Sequence, residues 1–361
     1  MASFLFCLPR FHTNAAPWVR VLQEAGHKVE IHCMIRGPTE NHALLDPRIH
    51  SQSNWSVRLG GSTADDRRLF PDFRNLADAM QSADPDVVIV RGLTRWFMRM
   101  AALAALMQGR KLVVYDQESP NPGFSGTWLR RAACRVVGIP HFTSILDDAV
   151  GRSMGSALQI PFGCAFEAPD TGRLSGRDIH WPPRILMVAK YRQRKRHADL
   201  LTALGKLAPA HVFSLTFCGE EASEADRNFC QELRSQADAA GIGDRLTFAN
   251  NRPHGEMPRI YGSHDIFVLP AIREPAAVSP MEAAWCGCAV IAARGCGTRT
   301  YLPAGDRFDF VDGDVDDLAR ALSGMLESPV GLAQARDLCV QRISTLASDS
   351  QIRDRFEGLL I

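Results

Sequence analysis

"DIFVLPAIREPAAVSPMEAAWCGCAVIAA", residues 265–293, holds an apolar run, a polar loop, a short helical stretch and a second apolar run. "DIFVLP" reads as a buried strand. Ser279 is placed to cap a helix, with Pro280 at its first position and Glu282 three residues after the cap, an S-x-x-E capping box. Gly287 then ends the helix before the strand "AVIAA". Strand, helix and strand in such quick succession form the crossover unit of a parallel α/β protein.

The same rhythm runs outward in both directions. Upstream lie the strands "RILMVA", "VFSLTFCG" and "RLTFA", alternating with helical "HADLLTALGKL", "ADRNFCQELRSQADAAG" and "GEMPRIYG". Downstream come "FDFVD" and three helical stretches, "DVDDLARALSGMLES", "LAQARDLCVQRIST" and "SQIRDRFEGLLI". The first half shows a separate set, "SFLFCL", "KVEIHCM", "DVVIV" and "KLVVY", spaced by helical segments that include "DFRNLADAMQSA", "RWFMRMAALAALM" and "TWLRRAACRVV". Residues 162–183 break the pattern with Gly, Pro, Asp and Arg but no sustained apolar period. The restart predicts two Rossmann-like, doubly wound parallel sheets: a domain over 1–165, a linker over 166–183, a second domain over 184–345 and a closing helix over 346–361. Open parallel sheets take ligands beyond the carboxyl ends of their strands, so two of them facing each other are expected to enclose a central cleft.

Bulk properties narrow the function classes. The chain has 361 residues, 46% of them apolar, enough for two cores. Its net charge of +1 gives no global field that would favour nucleic acid, and nucleic acid is not expected as a partner. Ten cysteines lack zinc-type spacing and read as buried reduced thiols; no metal is expected. "MASFLFCLPRF" is too short an apolar run for a signal peptide, and the apolar helix around "FMRMAALAALM" is interrupted at Arg99, so no spanning helix is predicted. The expected location is cytoplasmic, with peripheral association at the inner face of a membrane left open.

Three loops that follow strands hold the candidate chemistry. In the first, Glu274 stands before Pro275 where nothing local needs an acid, whereas Glu282 has its cap as a sufficient role. A loop carboxylate can accept hydrogen bonds from polyol hydroxyls, and free N–H groups around Ala276, Ala277, Val278 and Ser279 can receive oxyanions. The second, "KYRQRKRH", packs Lys190, Arg192, Arg194, Lys195 and Arg196 into seven residues. A phosphate at about 4 Å from one such cation gains roughly 4 kcal/mol at an effective dielectric near 20. A solvated basic loop is the bland alternative. The third, "LPRFHTNAAPW", offers His12 as a contact or proton handler, with Thr13 or Asn14 as helix cap. Arg91 after "DVVIV", and Asp116 and Glu118 in "VVYDQESP", also lie at strand ends.

A dinucleotide-binding reading fails because the first strand-to-helix turn has no G-x-G-x-x-G, and neither a Walker sequence nor a nucleophile elbow is present. Taken together, "ILMVAKYRQRKRHADLLTAL", "GEMPRIYGSHDIFVLPA" and the E-x7-E pair Glu274 and Glu282 resemble the GT-B glycosyltransferases of family 4, most strongly over about residues 184–327. The resemblance implies a retaining transfer of sugar from a UDP- or GDP-linked donor to an acceptor hydroxyl on a glycan, a lipid-linked molecule or a protein, in polysaccharide or glycoconjugate biosynthesis, without metal or other cofactor. It implies that Glu274 meets the donor sugar, Glu282 the ribose, residues Ala276 to Val278 the sugar and phosphates, and Lys190 and Lys195 the diphosphate. Lys190 replaces the family's arginine and loses its planar fork. "RFHTN" and "DQES" depart from the family's first loop and its usual histidine. A non-catalytic nucleotide-sugar binder or partner protein, and a UDP-sugar epimerase, stay open as alternatives.

Overall fold

The computed structural model describes residues 1–11, 13–36, 44–58, 69–117, 126–145, 158–166 and 178–361, leaving aside the side chains of 126–128. The chain divides into two units, one comprising residues 1–165 with 348–361 and the other residues 166–347.

The first unit is built on a parallel sheet of strands β1 (Ser3–Cys7), β2 (Lys28–Cys33), β3 (Arg48–Ile49), β4 (Val87–Arg91), β5 (Lys111–Asp116), β6 (His141–Thr143) and β7 (Leu158–Gln159), in the order β3-β2-β1-β4-β5-β6-β7. Phe4 to Cys7 and Val87 to Val90 are fully buried, as continuous apolar runs must be when helices cover both faces. On one face Leu5, Val88 and Val90 meet Leu76 and Met80 of helix Phe73–Ala83 and Phe97, Met98 and Ala101 of helix Trp96–Met107. On the other, the last helix, Asp349–Glu357, returns to helix Ala16–Glu24: Phe356 lies 5.6 Å from Trp18 and 5.9 Å from Phe6, and Arg20 pairs with Asp349 at 2.8 Å. Gly163 sits between these helices, where an added Cβ would come within 2.6 Å of Pro17 and 2.8 Å of Ile352.

Some expectations change here. Helix Ala16–Glu24 is entered through a 3-10 turn, Thr13–Ala15, and its cap is Ala15 with no side-chain hydrogen bond, so neither Thr13 nor Asn14 caps it. The short strands β3, β6 and β7 extend a sheet for which the sequence suggested four strands. Of the anticipated linker, Phe166 packs on His254 and Tyr261 of the second unit, while 167–177 lie outside the described residues.

The second unit has the six strands read from the sequence: β8 (Arg184–Val188), β9 (Ser214–Cys218), β10 (Leu246–Phe248), β11 (Ile266–Leu269), β12 (Ala289–Ala293) and β13 (Asp309–Phe310), parallel and ordered β10-β9-β8-β11-β12-β13. Gly287 turns the chain into β12 with φ 88°, a left-handed conformation open to glycine. All ten cysteines are free thiols, nine of them buried and Cys286 partly so. Burial pushes the Cys7 and Cys339 thiols up to about 12, in Cys339 against the lowering effect of a backbone hydrogen bond with Val290, keeping them protonated and inert.

Candidate functional site

From β8 the second sheet winds to β9 and β10 on one side and to β11, β12 and β13 on the other. The carboxyl ends of β8 and β11 therefore flank its switch point, where parallel sheets accept ligands. Two loops meet there, residues 189–196 after β8 and 270–278 after β11. The Ile272 amide donates to the Arg194 carbonyl at 3.0 Å, and the Ser279 hydroxyl donates to the Val188 carbonyl at 3.2 Å. From beyond β12, the Gly297 amide donates to the Glu274 carbonyl at 2.9 Å and the Thr298 hydroxyl to the Ala277 carbonyl at 2.6 Å. Three neighbouring strands thus fix one loop.

Within this frame the acid and the cations meet. Lys195 donates to the Glu274 carboxylate at 2.5 Å, and both residues are only 8% exposed. Arg194, half-exposed, donates to the same oxygen. The residue beside each ion-pair member, Arg196 with φ 58° and Arg273 with φ 52°, is left-handed although neither is glycine. Such backbone costs on the order of 1–2 kcal/mol per residue and persists only where surroundings hold it.

The five cations are not free, as a bare phosphate cradle would require. Lys190 pairs with Glu220 at 2.9 Å, Arg192 with Asp226 at 2.5 Å and Arg196 with Asp199 at 2.7 Å, leaving Arg194 and Lys195 to share Glu274. Five cations against four carboxylates leave one positive charge, and it sits at the shared acid. His197 adds none: burial, with Lys195 nearby, lowers its imidazole to about 3.

Glu282 departs from the capping expectation. The helix runs Ser279–Trp285 with Val278 as its cap residue, and that cap makes no side-chain hydrogen bond. Ser279 turns instead to Val188, and Glu282 accepts from the Tyr261 hydroxyl at 2.9 Å. Burial pushes its carboxyl up to about 7, against the lowering effect of the tyrosine hydrogen bond. Ala277 is buried, while Ala276 and Val278 are half-exposed beside it.

In the first unit, Arg91 at the end of β4 donates to Gln117. Asp116, at the end of β5, accepts from Arg131 at 2.8 Å and faces His141 Nε2 at 2.7 Å. Burial would raise its carboxyl, but these hydrogen bonds outweigh burial and hold it below the ordinary carboxylate range. The acid read as a cleft contact is thus engaged inside its own unit. Asn14 lies half-buried in the 3-10 turn, and His12 and Glu118 lie outside the described residues. Sequence reasoning named Arg194 only as one of five loop cations, without its pairing to Glu274, and overlooked Tyr261 and Thr298 as site residues. Tyr261 and Thr298 stand in "GEMPRIYG" and "GCGTR", next to strands already identified.

Two parallel Rossmann-like units, with a last helix that rejoins the first, give the chain a GT-B fold. Residues 179–342, which lie within the second unit, match the family "Glycosyl transferases group 1". Over 100 residues the chain is 32% identical to the D-inositol 3-phosphate glycosyltransferase of Mycobacterium ulcerans, covering 27% of this chain and 22% of the relative. It is 30% identical over 163 residues to the 2-deoxystreptamine N-acetyl-D-glucosaminyltransferase of Streptomyces fradiae, covering 45% and 37%. These matches span well under half the length of either relative. The Anabaena protein HepE, crystallised in complex with UDP and glucose, has a similar fold over 100% of this chain and 99% of its own, with a TM-score of 0.71 at 17% identity.

Among the described residues, no helix is long and apolar enough to cross a membrane, and no three His, Cys, Asp or Glu are grouped to hold a metal ion.

Proposed function

We propose that this chain transfers a sugar from a nucleoside diphosphate donor to an acceptor hydroxyl with retention of anomeric configuration. The observation that carries the reading is Glu274 held by Lys195 and Arg194 at the switch point of the second sheet, with one positive charge in surplus. The glycosyltransferase names of the relatives, and UDP with glucose bound to a protein of the same fold, support it.

The chemistry follows from that arrangement. The bond between the anomeric carbon and the β-phosphate oxygen breaks, and charge gathers on the diphosphate. Lys195 and Lys190 stabilise that charge more in the transition state than in the bound donor, which lowers the barrier. Glu274 accepts hydrogen bonds from sugar hydroxyls and Glu282 from the ribose. The acceptor oxygen attacks on the face the leaving group vacates, and its proton passes to the departing phosphate.

Thermal denaturation with UDP-, GDP- and ADP-sugars, followed by transfer assays on Lys195→Ala and Glu274→Ala, tests the proposal. One nucleotide sugar should raise the melting temperature, and both variants should lose transfer by two orders of magnitude or more, on the scale of removing one charge-stabilising group. Near-parental rates in both would reject the assignment. Stabilisation without product from any acceptor would point to a binding protein instead.

A further inference from the structure

Lys195 cannot serve two anions at full strength, yet the site sets it between a carboxylate and, on the reading proposed above, a diphosphate. Its ammonium donates to Glu274 Oε2 at 2.5 Å, and both residues are only 8% exposed. Little water screens a pair in that setting, so the ammonium acts mainly on the anion nearest to it. A diphosphate therefore gains from Lys195 only by drawing it off Glu274. A buried carboxylate that loses its cation is strongly destabilising, so another group has to hold the acid while the lysine is away.

Arg194 is placed to do this. The resemblance gives roles to Lys190 and Lys195 and none to Arg194. Its guanidinium donates through Nη1 to the same Oε2 that Lys195 uses. Its side chain is 51% exposed and makes no other hydrogen bond or ion pair among the described residues. The main chain around the three groups is pinned: the Arg194 carbonyl accepts from the Ile272 amide at 3.0 Å, the Lys195 amide donates to the Arg192 carbonyl at 2.8 Å, and the Glu274 carbonyl accepts from the Gly297 amide at 2.9 Å. With the backbone fixed, only side chains can change partners. The flexible lysine stem can swing, whereas the planar fork of the arginine suits it to stay on a carboxylate. Glu274 Oε1 accepts no hydrogen bond among the described residues and is open to sugar hydroxyls. The remaining acids of these ion pairs already have their own cations, Glu220 with Lys190, Asp226 with Arg192 and Asp199 with Arg196.

We propose that Glu274 and the donor's diphosphate compete for Lys195, and that Arg194 is the positioning residue that keeps Glu274 matched while the lysine is on the phosphates. The inference rests on the donor reading above and adds to it a route for product release. With donor bound, Arg194 on Oε2 and sugar hydroxyls on Oε1 stand in for the lysine. Once the sugar has moved to the acceptor, Glu274 loses the hydroxyls and draws Lys195 back, which loosens the nucleoside diphosphate.

Titration calorimetry of the full chain with UDP, GDP and ADP tests the exchange. Glu274→Gln removes the competitor, so the diphosphate that the parent binds should bind at least about ten-fold more tightly, on the scale of coupling between close charge pairs. Arg194→Gln leaves Glu274 dependent on Lys195 and should weaken the same diphosphate about ten-fold. Arg194→Lys keeps the charge and should recover most of that loss. In the double variant the arginine has no acid to hold, so adding Arg194→Gln to Glu274→Gln should change affinity less than about two-fold. A direct contact of Arg194 with phosphate would weaken both backgrounds alike, and that result overturns the proposal. So does unchanged or weaker diphosphate binding by Glu274→Gln. Should Glu274→Gln fail to fold, as its melting temperature would show, the half-exposed Arg194 still decides. Arg194→Gln should weaken the free diphosphate at least about five-fold more than the matching nucleotide sugar, whose hydroxyls help to hold Glu274; equal losses reject the exchange. A diphosphate that binds parent and Glu274→Gln alike removes only this inference, whereas a chain that binds no nucleotide in any form fails the donor reading and this proposal with it.

Discussion

The two units share a topology and differ in what their strand ends carry. In each, a central strand feeds sheet on both sides, β1 in the first and β8 in the second. At the second switch point Arg194 and Lys195 converge on one carboxylate and leave a charge in surplus. At the end of β5 in the first unit, Asp116 is matched by Arg131 and His141, and Arg91 is taken up by Gln117. A parallel sheet supplies the place for a site, but the charge balance of its loops decides whether an anionic ligand gains by binding there.

The largest expected effect breaks that contrast at its stronger side. Glu274→Leu strands Lys195 as a buried ammonium, and removing one member of such a pair costs about 3–5 kcal/mol. Adding Lys195→Met should recover most of that loss, because an apolar pair of similar volume needs no counter-charge. Urea unfolding of the single and double variants measures it. A single variant within about 1 kcal/mol of the parent, a size typical of surface pairs, would mean that the ion pair is solvated, and the distinction between the units would vanish.

The same contrast explains what could be read in advance. All six strands of the second sheet were visible because each is an apolar run between turn residues. In the first sheet only β1, β2, β4 and β5 were. β3 is the dipeptide Arg48–Ile49, exposed at both positions, and β7 is Leu158–Gln159; neither carries an alternating pattern, and each pairs because a neighbour offers its edge. Glu274 could be singled out because no local structure needed it. Its partner Arg194 could not, since a 3-10 turn over Gln193–Lys195 sets which of five cations face the acid. The S-x-x-E pattern misled for a related reason: Val188 and Tyr261, distant in sequence, took the hydrogen bonds that a local cap would have used.

Glu282 offers a sharper comparison through pH. Its carboxyl is raised by burial in the folded protein to about 7 from the ordinary 4.5, so between those pH values the folded chain holds a proton that the unfolded chain has released. Folding is therefore favoured by this group below about pH 4.5, and the contribution is lost as pH rises toward 7. Glu282→Gln mimics the protonated form and removes the dependence. Its stability relative to the parent should rise by on the order of 2–3 kcal/mol between pH 4.5 and 8. Parallel urea midpoints for the two proteins across that range would exclude a raised carboxyl.

Asp116→Asn tests the balanced cluster of the first unit. An amide keeps the size and removes the charge, leaving Arg131, whose side chain is 11% exposed, without its counter-ion. The cost should be about 2 kcal/mol, as for losing charge-assisted hydrogen bonds in a mostly buried setting. Nucleotide-sugar affinity should stay at the parental value, because the substitution lies outside the donor site. A stable variant with weakened donor binding would show that the two strand-end clusters are not separate in function.

The smallest change in stability belongs to Lys190→Ala. The ammonium and its partner Glu220 are 59% and 37% exposed, so the pair should contribute at most about 0.5 kcal/mol. Its proposed task is different, since a solvated cation beside the switch point can leave Glu220 for an arriving diphosphate at little cost. Removing it should leave the melting temperature unchanged within error and weaken donor binding several-fold, with a shallower dependence on salt. Lys190→Arg should restore affinity, with a planar fork in place of a point charge. If Lys190→Ala binds donor as well as the parent does, the surplus charge at Glu274 acts alone and Lys190 belongs to the solvated surface.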